Sequence, residues 1–120
     1  MDYKKQISDC LKKLGVPANT YGYFYLRYAI ELTIEELSSD NGGIPCSMTK
    51  KIYPTVAKHF NSTWSRVERA MRTAIENVLV YGDLDFIEEV FGNSIRQDKG
   101  KPVNAAFVAT VADYVIMTTT

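Results

Sequence analysis

In the first stretch of the chain, KKQISDCLKKLG, the apolar positions Ile7, Cys10, Leu11 and Leu14 recur at helical spacing with lysines between them. Gly15 and then Pro17 end the pattern, so one short amphipathic helix is predicted. Tyr21 to Leu37 is rich in Tyr, Leu, Ile and Ala, with Gly22 its sole helix breaker, and predicts a central buried helix with Phe24, Leu26, Ala29, Ile30 and Ile34 in the core. SSDNGGIPCS, residues 38–47, reads as a loop. Between 48 and 60 the helical period returns, with Ile52, Val56, Ala57 and Phe60 on one face and Pro54 in the first turn or at a kink. Asn61 in FNST tolerates a left-handed backbone, and Ser62 or Thr63 can cap the helix that follows, around 64–81. DLDFIEEVFG then predicts a brief acidic helix closed by Gly92. After the polar NSIRQDKGKP, Asn104 is placed to cap a last apolar helix whose β-branched residues leave a strand open at its end. No alternating pattern, hairpin turn or internal repeat points to a sheet, so the chain is predicted to be all-α, with a short helix, a tight turn and a long helix at its centre.

On that long helix, advancing 100° per residue, Val67, Ala70, Met71, Ala74, Ile75 and Val78 form an apolar stripe. Arg66, Arg69, Arg72, Thr73 and Glu76 point away from it. Behind a short helix and tight turn, such a face is what a helix-turn-helix presents to the major groove of DNA. Guanidinium groups can donate paired hydrogen bonds to guanine O6 and N7, and Glu68 can accept from the amino group of cytosine. Arg66, Glu68, Arg69 and Arg72 are therefore the base-reading candidates. A plainer account of the same residues is also open: Glu68 with Arg72, or Arg72 with Glu76, are ordinary i,i+4 pairs, and Ser65 with Glu68 has capping-box spacing.

Composition fits one soluble domain: 120 residues, 46% hydrophobic and 23% charged. No apolar run is long enough for a membrane span and no signal peptide leads the chain, so no membrane association and a cytoplasmic location are expected. Cys10 and Cys46 lie in unrelated contexts and are read as reduced thiols. The formal net charge is zero, yet the charge is segregated. From 41 to 74 the basic residues Lys50, Lys51, Lys58, Arg66, Arg69 and Arg72 face the single acid Glu68, while acids crowd both flanks. That distribution suits a localised anionic partner.

Other motifs carry little. SMTK at 47–50 has the spacing of a serine nucleophile and lysine base without that class's companion motifs. The sequon NST at 61–63 has no role in a cytoplasmic protein, and His59, the sole histidine, cannot build a His-paired metal site. Tyr21, Tyr23, Tyr25 and Tyr28 read as core and rim packing rather than as base-stacking groups. With no phosphate loop and no paired catalytic carboxylates, neither enzyme activity nor a cofactor or metal is expected.

GVPA at 15–18, GYFYLRYAI at 22–30, TKKIYPTVAKHFNSTWSRVERAMRTAIE at 49–76, FG at 91–92 and GKPVNAAFVATVAD at 100–113 occur in an order that spans nearly the whole chain. Together they resemble the C-terminal DNA-binding domain of the sporulation-initiation master response regulator family of endospore-forming Firmicutes. The resemblance implies a compact bundle of about six helices whose third and fourth form the helix-turn-helix, a single effector domain over residues 1–120 without a receiver domain, and double-stranded DNA as partner. It implies recognition of a TGTCGAA-like box, head-to-tail pairing on tandem boxes, and backbone-positioning roles for Lys58, Ser62, Thr63 and Ser65 beside the base readers. It also places a surface for the RNA polymerase sigma subunit at the acidic helix 83–91. The chain departs from the family in having no basic residue in NVLVYGDLDFIEEVFG at 77–92 or in the closing YVIMTTT, in Thr73 where histidine is common, and in Trp64 just before the motif. An alternative from another class is a protein-interaction paralogue that keeps the bundle but binds a regulator or sigma factor, through the acidic helix, instead of DNA.

Overall fold

The structure, a computed structural model, describes residues 3–38, 48–92 and 104–119. Every regular element in those residues is helical. They are α1 (Lys4–Lys13), α2 (Tyr21–Leu37), a π-helical turn (Met48–Ile52) running directly into α3 (Tyr53–His59), α4 (Trp64–Glu76), the single turn α5 (Val78–Tyr81), α6 (Leu84–Phe91) and α7 (Asn104–Thr119). The polar segments 39–47 and 93–103, and Cys46 with them, lie outside the described residues. No helix among the described residues is long and apolar enough to cross a membrane.

α2 is the hub, packing against α1, α3, α4 and α7. Ile7, Leu11 and Leu14 from the α1 region, Leu26, Ala29 and Ile30 from α2, Val67 and Met71 from α4, and Phe107, Val111 and Ala112 from α7 are fully enclosed. Each large side chain so buried stabilises the fold by about 1.5–3 kcal/mol relative to exposure. Phe24, predicted to be core, is instead 38% exposed, and Tyr23 and Tyr25 are buried. The reason is rotational: residue 24 stands about 160° from Leu26 around the helix, outside the stripe that Leu26, Ala29, Ile30 and Thr33 turn inward. The Arg27 guanidinium covers the Phe24 ring at 5.3 Å.

Gly22 makes the contact between α2 and α4 possible. A Cβ there would stand 2.5 Å from the Ala70 carbonyl oxygen and 2.8 Å from the Ala74 methyl carbon, so the two helices touch through backbone. A second close approach joins the end of α1 to the end of α5. Gly15, at φ 90°, has room for no Cβ because Gly82 N would be 2.4 Å away, and Asp83 N donates to Lys13 O at 3.1 Å.

Two boundaries and one buried position differ from expectation. The helix predicted around 64–81 breaks at Asn77, where the N–H turns back to Ala74 O at 3.2 Å and the chain resumes as α5. The strand left open at the end of the last segment does not form: α7 stays helical to Thr119. Phe107, Val108, Val111, Ala112 and Val115 make a buried helical stripe there, and that burial outweighs the β-preference of the valines. Phe60 is 36% exposed rather than buried with Ile52, Val56 and Ala57. The acidic helix forms as predicted, with Asp83 Oδ1 accepting from Asp85 N and Phe86 N and Gly92 at φ 64° closing it.

Candidate nucleic-acid interface

α3, the turn 60–63 and α4 are built by backbone hydrogen bonds the local sequence dictates. Pro54 sits in the first turn of α3, at the junction where the π-helical turn gives way to the α-helix. At the other end Ser62 N donates to Ala57 O at 2.8 Å and Asn61 N to Lys58 O at 3.3 Å, with Asn61 at φ 54°. This is a Schellman termination in which asparagine occupies the left-handed position that glycine usually takes. Thr63 is then extended, and its hydroxyl accepts from Arg66 N at 3.2 Å, capping α4. The capping box open between Ser65 and Glu68 is therefore not used: Ser65 already lies inside the helix, and the Glu68 carboxylate turns to Arg72. The turn is held from behind by α2, through the Tyr25 hydroxyl donating to Ser62 Oγ at 3.2 Å and the Tyr28 ring stacked 4.0 Å from His59.

Val67, Met71, Ala74 and Ile75 carry the buried side of α4, and Arg66, Arg69 and Arg72 are exposed on the other. The arginines differ in state. Arg72 Nη1 pairs with Glu68 Oε2 at 2.9 Å, whereas among the described residues no ion pair engages Arg66 or Arg69. Lys58, Thr63 and Ser65 are exposed and Ser62 is half-buried; Lys58 lies near the end of α3, Ser62 and Thr63 in the turn and Ser65 in the first turn of α4.

The far flank of α4 is fixed by a residue read from sequence only as a cap. Asn104 begins α7 almost fully buried, and its amide donates to Tyr53 Oη at 3.0 Å and to Glu68 O at 3.1 Å. It thereby joins α7 to both helices of the motif. Burial pushes the Tyr53 phenol above its usual value, and the Tyr53 ring meets Trp64 edge-on at 4.9 Å. On the near flank lies an open groove of about 600 Å³, with Arg66, Arg69 and Thr73 on the α4 side, Tyr21 and Tyr25 on the α2 side, and Asn61 at its end. Sequence patterning could not bring Tyr21 or Asn104 to this site, because each meets α4 from a distant part of the chain.

On the acidic helix Leu84 is 67% exposed, next to Tyr81 at 70%. Glu89 is engaged by the Tyr114 hydroxyl. No group of three or more metal-ligating side chains assembles among the described residues. The family described as Sporulation initiation factor Spo0A C terminal matches the chain over residues 7–115.

Proposed function

The chain belongs to the Spo0A C-terminal family, the DNA-binding domain of a sporulation regulator and not an enzyme family, and from that premise we propose that it reads a TGTCGAA-like box in double-stranded DNA with α4. The observation that carries the proposal is the exposed row Arg66, Arg69 and Arg72 on a helix capped directly behind the Schellman turn. Arg66 and Arg69 are available for bidentate contact with guanine. Arg72 commits one nitrogen to Glu68 and keeps further donors, while the exposed pair costs only about 0.3–0.5 kcal/mol to open, so Glu68 can also turn to a cytosine amino group. Lys58, Ser62, Thr63 and Ser65 serve the phosphates on either side of the turn. Tandem boxes would place two copies head to tail.

Fluorescence-anisotropy titration against the box and a scrambled duplex at two salt concentrations tests this. A preference of about 10³ or more for the box is expected, and Arg69→Ala is expected to cost about 1–3 kcal/mol on the box alone. Equal, weak and steeply salt-dependent binding to both duplexes would overturn it.

A second reading draws on Val80, Tyr81 and Leu84, exposed beside Asp83 and Asp85. An apolar patch rimmed by acids suits a basic protein surface such as that of a sigma subunit. Tight capture of a regulator or sigma subunit, abolished by Leu84→Lys, alongside weak and sequence-blind DNA binding would support it.

A further inference from the structure

Tyr21 is 77% exposed, the most exposed of the large apolar side chains among the described residues. Its ring is nevertheless braced. It stacks on Tyr25 with centroids 6.1 Å apart and planes 25° from parallel, and Tyr25 is itself buried and bonded to Ser62. Tyr21 therefore stands as a fixed aromatic wall of the groove whose opposite wall is Arg66, Arg69, Thr73 and Asn77.

The angular order of residues on α4 says what passes through that groove. At 100° per residue Arg69 lies near the crest of the exposed face, Arg66, Thr73 and Asn77 lie on one flank, and Glu68 and Arg72 on the other. The first flank lines the groove, and the second is the side that Asn104 holds. A helix about 10–12 Å across fills a major groove about 12 Å wide, so one sugar–phosphate backbone runs along each of its flanks. On the Arg66 flank the backbone meets the start of α2. It passes there beside the Arg66 and Arg69 side chains that reach on to the bases, and meets a phenol hydroxyl able to donate to a phosphate oxygen and a ring face for the deoxyribose.

We propose that the groove between Tyr21 and Arg66 seats the sugar–phosphate backbone of one strand of the bound duplex, with Tyr21 as a direct contact. This rests on the reading of α4 as the base-reading helix, and it adds a residue from α2, outside the helix-turn-helix. The contact carries no sequence information; it sets how deeply and at what angle α4 lies in the major groove.

The test titrates the wild-type chain, Tyr21→Phe and Tyr21→Ala against the box and the scrambled duplex. Tyr21→Ala is expected to weaken both about tenfold and leave their ratio unchanged, with Tyr21→Phe intermediate. Because the ring is exposed, both variants are expected to melt with the wild type. Replacing single phosphates of the box by uncharged methylphosphonates locates the contact: at one position the wild type loses several-fold more affinity than Tyr21→Phe does. Wild-type affinity of Tyr21→Ala for both duplexes, or a loss confined to the box, overturns the proposal. Failure of the base reading looks different, because the wild-type chain itself then shows no preference for the box, and the effect of Tyr21→Ala is still measured on its non-specific binding.

Discussion

Asn104 is one of two buried polar side chains among the described residues, the other being Thr33, which bonds back to Ala29 O in its own helix. Its two donated bonds cross between helices, so removing the amide takes the partner of the Tyr53 hydroxyl and the second bond of the Glu68 carbonyl, which keeps its place in the α4 ladder. Asn104→Ala is expected to lower stability by about 1–3 kcal/mol in urea unfolding. Tyr53→Phe, which leaves the bond to Glu68 O in place, is expected to cost less. Cys10 makes a different kind of prediction. Burial pushes its thiol up from 9.0 to about 12. The native state then keeps a proton that the unfolded chain releases, so this contribution to stability is whole below pH 9 and declines as the pH rises toward 12. The urea midpoint is expected to fall between pH 8 and pH 10.5, and to fall less in Cys10→Ala. In a Cys46→Ser background, a thiol reagent at pH 8 is expected to label Cys10 slowly until the protein unfolds.

At the scale of elements, α1, α3 and α6 follow directly from spacing and caps, because each is a short amphipathic helix with a clear stop signal next to it, and of α4 the start follows in the same way. What the sequence conceals is contact made by small or absent side chains. Gly22 reads as a weak spot in α2, yet it is where α4 presses closest. Gly22→Ala is expected to push α2 from α4 and cost about 1–3 kcal/mol in thermal or urea unfolding, with loss of box binding at temperatures where the variant remains folded. The break at Asn77 is hidden for a related reason, since the apolar stripe continues through Val78 and neither glycine nor proline marks the end of α4. The α4 cap was legible as either of two hydroxyls, and the backbone selects Thr63. Thr63→Ala is expected to cost about 1 kcal/mol and to weaken box binding more than Ser65→Ala, since it frees the turn that carries Arg66. The face of α4 could be read from periodicity, whereas the groove beside it could not: it requires Tyr21 and Arg66 to meet across 44 intervening positions of sequence.

For the molecule as a whole, zero net charge coexists with a cationic face on the motif and an acidic, partly apolar surface on α6. Long-range attraction to DNA is accordingly weak, and binding depends on contacts made once the surfaces meet. With Lys58 and the arginines of α4 as the phosphate-neutralising groups, the slope of log K against log salt is expected to be about −3 to −4, shallower than for DNA-binding domains making six to ten phosphate contacts. Titrations at several salt concentrations measure it directly, and a much steeper slope would mean that cationic groups outside α3 and α4 reach the duplex.

Gly15 and Gly82 belong to this same scale, although each is a single residue. A side chain at Gly15 would collide with the Gly82 backbone, one at Gly82 would collide with the carbonyl oxygens of Leu14 and Val78, and the Asp83 to Lys13 bond closes the gap between the two segments. In evolutionary terms the two sites form one character written in two places. Neither can drift while its partner stays, so relatives that keep the clasp are expected to retain both glycines, and a lineage that loses one is expected to have rerouted the chain between α4 and α6.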